Sequence, residues 1–196
     1  MNKLFVLIVG CAFAGSVLAE EPKMDPKKME MMKAWKEAST PGPEHTLLKG
    51  LAGKWKVTTQ SWESETAKPE KTTGTSTFKP LLGGRFVQQD FKGKMMGMPY
   101  EGTGNMGFNN VSKKFESTWQ DSMSTELMTF EGTMDDSSKT IASSGEFECP
   151  IKKTTQKMRS EMKIIDKDTM TFALYMPDLE TGKEFKGMEQ TYKRTK

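Results

Sequence analysis

From Trp55 onward the chain alternates with a period of two, and this pattern constrains its fold more than any other feature. Trp55-Lys56-Val57-Thr58-Thr59 alternates, as do Phe115-Glu116-Ser117-Thr118-Trp119, Met128-Thr129-Phe130 and Met158 to Ile164. Phe172 to Met176 and Met188 to Tyr192 continue it. Alternation of this kind marks strands with one covered face. Turn signals fall between the segments: Gly83-Gly84, Asn109-Asn110, Asp135-Asp136-Ser137-Ser138, Asp166-Lys167-Asp168 and Glu180-Thr181-Gly182-Lys183. Roughly ten strands with hairpin connections and no βαβ rhythm predict an antiparallel meander. Such strands must close into a barrel or stack as a sandwich. The hairpin connections favour a mostly β, up-and-down β-barrel.

A barrel of this size has room for side chains and one small ligand. Alternation assigns the faces. If Phe115, Ser117 and Trp119 point inward, Glu116, Thr118 and Gln120 point outward. By the same logic Met158, Ser160, Met162 and Ile164 point inward, and Arg159, Glu161 and Lys163 outward. Walls that mix Met, Phe and Trp with Ser, Thr and Gln suit a ligand cavity. The candidate ligand-binding residues are Trp55, Phe115, Trp119, Met158, Met162 and Tyr192. His45, Arg85 and Asp121 are candidate polar anchors.

The first 52 residues read differently. Lys3, an apolar stretch from Leu4 to Ala14, and Val17-Leu18-Ala19 before Glu20 have the layout of a secretory signal peptide. A retained anchor and a lipobox at Ile8-Val9-Gly10-Cys11, with Cys11 lipidated, are the alternatives. Asp25-Pro26 opens a helix, with Asp25 as N-cap, and Thr40-Pro41-Gly42-Pro43 stops it. Glu44 to Lys49 suits a second short helix. The expected organisation is a signal peptide at 1–19, a helical segment at 20–52 and a barrel domain at 53–196. After cleavage no transmembrane segment is expected.

Composition and motifs narrow the chemistry. The net charge is +3 with no long run of one sign, which argues against a nucleic-acid partner. Cleavage would leave Cys149 as the sole cysteine, so no internal disulfide is expected. His45 is the only histidine, which excludes a multi-histidine zinc site. Gly102-Thr103-Gly104-Asn105-Met106-Gly107 matches the dinucleotide fingerprint but runs into a turn and another strand, where that motif needs a helix. No cofactor, metal or catalytic residue is assigned. Three alternatives stay open. One is an enzyme using Glu44, His45 and Asp121, with Arg159. Another is a copper handler built on the Met-rich groups Met24 to Met32 and Met95 to Met106. The third is a partner-binding protein that uses the helix carrying Trp35 as its contact.

Gly53-Lys54-Trp55, at the start of the first strand, resembles the Gly-x-Trp signature of lipocalin-like (calycin-like) barrels. The resemblance implies that Trp55 plugs one end of the barrel and that Arg194 packs over it. A wider resemblance runs through Ala34-Trp35, Pro41-Gly42-Pro43-Glu44-His45, Leu48, Leu51, Gly53 and Trp55. It continues through Leu82 to Phe86, Met96 to Gly102, Trp119 to Thr125 and Gly187 to Tyr192. These blocks are similar to the domain-of-unknown-function 1579 family, whose members are typically small, bacterial and often exported. Glu63 to Ala67 departs from the Pro-rich stretch usual there. The resemblance implies a bacterial envelope location, periplasmic or secreted, and no established activity. The resulting expectation is a barrel that binds a small hydrophobic or amphipathic molecule.

Overall fold

The computed structural model describes residues 24–195. The proposed signal peptide and Cys11 lie outside them. The chain divides into two compact units, the first ending at Trp35 and the second running from Lys36. Helix α1 (Pro26–Ser39) begins where Asp25 Oδ1 accepts the Lys27 N–H at 3.0 Å, and none of its residues is buried. No helix among the described residues is long and apolar enough to cross a membrane.

In the second unit α2 (Pro43–Gly50) precedes ten strands: β1 (Gly53–Ser61), β2 (Glu70–Leu81), β3 (Phe86–Met95), β4 (Met98–Asn109) and β5 (Lys114–Asp121), then β6 (Met128–Asp135), β7 (Thr140–Cys149), β8 (Thr154–Asp166), β9 (Thr169–Pro177) and β10 (Glu184–Arg194). Each strand pairs antiparallel with its sequence neighbour, and β1 also pairs with β10, from Trp55↔Arg194 to Ser61↔Met188. The sheet is thus a closed barrel, and closure removes the unpaired edges that would invite aggregation. Diameter grows with strand number. A ten-stranded barrel is wider than an eight-stranded one.

The two ends differ. At one end α2 packs beside β2, β3 and β4. Leu48 and Leu51 join Trp55, Val57, Phe78, Val87, Phe115, Ile141 and Met170 in the main core there. We call this the closed end. The other end carries the connections 62–69, 96–97, 122–127, 150–153 and 178–183. Met96-Gly97 makes the tightest of them, with both residues at positive φ, the backbone of a two-residue type I′ hairpin. Longer turns are held by carboxylate and amide side chains. Asp135 Oδ1 accepts the Ser137 N–H, Asp178 Oδ1 accepts those of Glu180 and Thr181, and Asn109 Oδ1 accepts that of Val111.

Candidate functional site: the barrel lumen

The closed end is sealed by Trp55. Its ring is 1% exposed, and its Nε1 donates to the Leu51 carbonyl at 2.9 Å. The Arg194 guanidinium carbon lies 4.1 Å from the ring centroid. That guanidinium also donates to the carbonyls of Gly50, Ala52 and Lys167, which ties the end of α2 to the β8–β9 turn. Gly53 sits at φ 128°, and a Cβ there would lie 2.9 Å from Arg194 Nη1. Both the backbone angle and the close approach therefore require glycine before Lys54-Trp55.

Above this plug is a polar layer. Tyr192 Oη donates to Gln190 Oε1 at 2.6 Å, and Gln190 Nε2 donates to Thr59 Oγ1 at 3.2 Å. Gln89 Nε2 lies 3.2 Å from Tyr192 Oη and 3.1 Å from Ser76 Oγ. Among the described residues no buried side-chain polar atom is left without a partner. A satisfied network of this kind is rigid, because breaking one bond strands a buried group. Burial pushes the Tyr192 hydroxyl above the ordinary phenol range, against the opposing hydrogen bond from Gln89.

Beyond the layer, toward the other end, the inward stripes change character. Ser117, Trp119, Phe130, Phe147, Leu174, Met176 and Met188 all sit on inward registers, yet they are only half-buried. At the closed end, inward Val57, Ile141 and Met170 are 0–1% exposed. Solvent thus reaches part of this inner wall, while Phe91, Tyr100, Met158 and Phe185, on inward registers of the same half, are packed to 5–8% exposure. We call this the open half.

Glycines shape its wall. A Cβ on Gly102 would lie 2.2 Å from the Trp119 ring, and one on Gly104 would lie 2.9 Å from it. Gly74 and Gly93 seat the Phe91 ring in the same way, and Gly145 seats Phe130. These rings lie against bare backbone, Phe91 within the packed core and Trp119 and Phe130 half-buried. This accounts for the Gly102-Thr103-Gly104 string, which lies within β4, between β3 and β5.

One polar cluster stands on this wall. Trp119 Nε1 lies 3.1 Å from both Asp121 Oδ2 and Tyr100 Oη, and Tyr100 Oη donates to Asp121 Oδ2 at 3.0 Å. Burial pushes the Tyr100 hydroxyl above the ordinary phenol range. The Trp119 hydrogen bond opposes that shift and the Asp121 charge adds to it. The hydroxyl therefore stays protonated as a donor.

The candidate residues from the sequence are distributed unevenly. Trp55, Phe115 and Met162 belong to the packed core, and Tyr192 to the polar layer. Met158 is 5% exposed on the inner face, opposite Gly145. Trp119 lines the open half. The three polar anchors do not converge. His45 is buried beneath the closed end, with its Nδ1 accepting the Gly42 N–H at 2.9 Å and its ring 5.9 Å from Phe108. Arg85 donates to the carbonyls of Ser39 and Leu82. Asp121 pairs with Gly102, six residues of β4 away from Phe108. That is roughly 20 Å at strand spacing, so His45 and Asp121 form no joint acid–base site. Arg159 points outward, hydrogen-bonded to Glu184 and Glu161 and stacked 3.6 Å from the Tyr175 ring. Met95, Met96 and Met98 share the β3–β4 hairpin, and Met95 and Met106 pack against the core. Among the described residues no group of three or more His, Cys, Asp or Glu side chains could hold a metal.

Sequence reasoning missed Gln89, Tyr100 and Phe147 as lumen residues, and did not single out Gln190 within its alternating segment. Phe130, Leu174, Met176 and Met188 were already within alternating segments, and their phase alone would have placed them inside.

Two solved structures share the architecture. Rv2717c from M. tuberculosis superposes with a TM-score of 0.59 at 16% identity, covering 80% of this chain and 100% of that one. The S-type phycobiliprotein lyase CPES from Guillardia theta gives 0.57 at 9% identity, covering 82% and 96%. At these identities the likeness is one of fold. No curated protein matches the chain in sequence. A family model does match residues 40–194, from the turn before α2 to the last residue of β10, and the chain belongs to the family described as protein of unknown function (DUF1579).

Proposed function

We propose that this chain is a binding protein of the bacterial envelope that holds a small, partly apolar molecule in the open half of its barrel. One observation carries the reading. Phe130, Phe147, Leu174, Met176, Met188 and Trp119 face the lumen and remain half-buried, while equally apolar residues at the closed end are packed to exclusion. Exposed inward apolar surface costs free energy, about 25 cal/mol per Å². A ligand that covers it recovers that energy. The polar layer gives the lumen a rigid floor, and the glycine-seated rings keep its wall thin, as pre-formed small-molecule sites require. The fold shared with a protein named as a phycobiliprotein lyase supports the reading at the level of architecture only. The signal-peptide layout before Glu20 supports the envelope location.

The test is a titration of the purified mature protein with Nile red, a neutral apolar dye, followed by its fluorescence. Saturable binding is expected. Trp119→Ala removes one aromatic wall and should weaken binding roughly ten-fold, which corresponds to about 1.4 kcal/mol. An unchanged affinity in Trp119→Ala with an unchanged melting curve contradicts a site in the open half. Mass analysis of the mature protein tests the location: Glu20 as first residue supports export, and a lipidated Cys11 makes the protein membrane-anchored.

A further inference from the structure

The inward stripes carry almost no charge. Every lysine on the ten strands, and Arg159 with them, lies on an outward register; Lys92, Lys114 and Lys186, for example, pair with Glu101, Glu131 and Glu189 on the outer face. Arg194 faces inward but is held at the closed end over Trp55. Between the polar layer and the open end, Asp121 is the charged side chain on the inner wall. Glu70, in the same phase, opens β2 opposite Ser61 at the rim and is exposed. Among the described inward strand positions of the open half there are therefore carboxylates and no cation, the lysines of that end standing on the rim connections as Lys68, Lys152, Lys153 and Lys183.

Asp121 is built into place. Its Oδ2 accepts from Tyr100 Oη and from Trp119 Nε1, and its Oδ1 accepts the Met123 N–H at 2.9 Å. A carboxylate offers about four lone-pair sites. These three bonds leave acceptor capacity unused. None of the ion pairs among the described residues involves Asp121. The side chain is half-buried, held by the N–H edge of Trp119, an indole whose π face attracts cations.

A fixed, uncompensated carboxylate in a narrow, mostly apolar lumen favours a positive group and disfavours a negative one, because opposite charges attract more strongly away from bulk water. We infer that the ligand is a cationic apolar molecule, an amine whose ammonium group pairs with Asp121 while its hydrocarbon or aromatic body lies against Trp119, Phe130, Leu174 and Met176. This rests on the lumen being the binding site, as proposed above.

Three probes of one shape separate the two claims: 1-naphthylmethylamine, 1-naphthalenemethanol and 1-naphthoate, each titrated into the full mature chain and into Asp121→Asn. Asparagine keeps an acceptor oxygen for Tyr100 and Trp119, and a melting curve checks its fold. The expected ranking is amine over alcohol over carboxylate, with the amine at least ten-fold tighter than the alcohol. Asp121→Asn should abolish that ten-fold gap and leave the alcohol unchanged. If amine and alcohol bind equally and both are weakened by Trp119→Ala, the cation preference is wrong and the lumen site stands. If the amine keeps its advantage in Asp121→Asn, the assignment to Asp121 is wrong. If no probe binds, the inference and the lumen site fall together. Should Asp121→Asn not fold, the ranking on the unaltered protein decides, and a tie or a reversed order overturns the proposal.

Discussion

The Trp119 ring lies flat against Gly102, so close that a single methyl group added to the glycine would sit 2.2 Å from the ring. The contact is diagonal: Trp119 pairs with Gly104 and Gly102 with Asp121, so the ring runs along the same inner face of β4 and β5. The glycine has no Cβ so that the tryptophan can lie along the wall and reach Asp121 with its N–H.

Gly102→Ala should therefore be costly although it adds one carbon. Either the ring or the strand must move, and overpacking of this kind costs about 1–3 kcal/mol. Chemical denaturation should show that loss. Trp119 emission should also shift, because the ring leaves its hydrogen bonds to Tyr100 and Asp121. Gly97→Ala is the control. A Cβ there meets nothing within 4 Å, so only its positive φ resists the change.

The same contact explains which strands were legible in the sequence. β1, β5, β6, β8, β9 and β10 alternate in size and polarity, and each was visible from its period. β2, β3, β4 and β7 were not individually visible. Their inward positions include Gly74, Gly102, Gly104 and Gly145, which are small because a neighbouring strand's ring or backbone occupies the space. A residue chosen to make room for a partner carries no hydrophobic signal of its own. Turns were legible for the opposite reason, since Asp135, Asp166 and Asp178 each accept a backbone N–H two residues on. The candidate site was legible only in part. Period placed Trp119 and Met158 inside, but three-dimensional closure decides that Phe115 and Met162 are core while Leu174 and Met176 line the open half.

The plug at the closed end should be a strong determinant of stability. Arg194→Met keeps the apolar stem and removes the guanidinium, which stacks on Trp55 and binds the carbonyls of Gly50, Ala52 and Lys167. A loss of about 2–4 kcal/mol is expected from the stacking and the charge-assisted bonds together. Arg194→Lys should recover only part of it, because an ammonium cannot serve three diverging carbonyls. Equal stability of Arg194→Met and the parent in denaturant melts would contradict a structural role for the pair.

Alkaline pH should weaken the barrel. Tyr100 and Tyr192 both titrate above the ordinary phenol value in the folded state, chiefly through burial. Above a pH of about 10 the unfolded chain releases these protons while the folded chain retains them. The unfolded state then binds fewer protons, so stability falls as pH rises. Below that pH both states are protonated and these two groups contribute no slope. Tyr192→Phe is predicted to flatten the alkaline slope, at the cost of leaving Gln190 and Gln89 short of a partner. Melting temperatures measured from pH 8 to 11 check this, and an equally steep fall in Tyr100→Phe and Tyr192→Phe would count against it.

The central claim is that a small molecule occupies the open half of the lumen, and methionine methyl resonances report on it directly. Met176 and Met188 line that half, Met170 is sealed at the closed end, and Met96 and Met98 are exposed on the β3–β4 hairpin. The decisive measurement is a methyl-labelled NMR titration with 1-naphthylmethylamine. Saturable shifts are expected at Met176 and Met188, with Met170 and Met96 unmoved. Shifts confined to Met96, or to the exposed methionines of α1, would place binding on the outer surface and contradict a site in the open half.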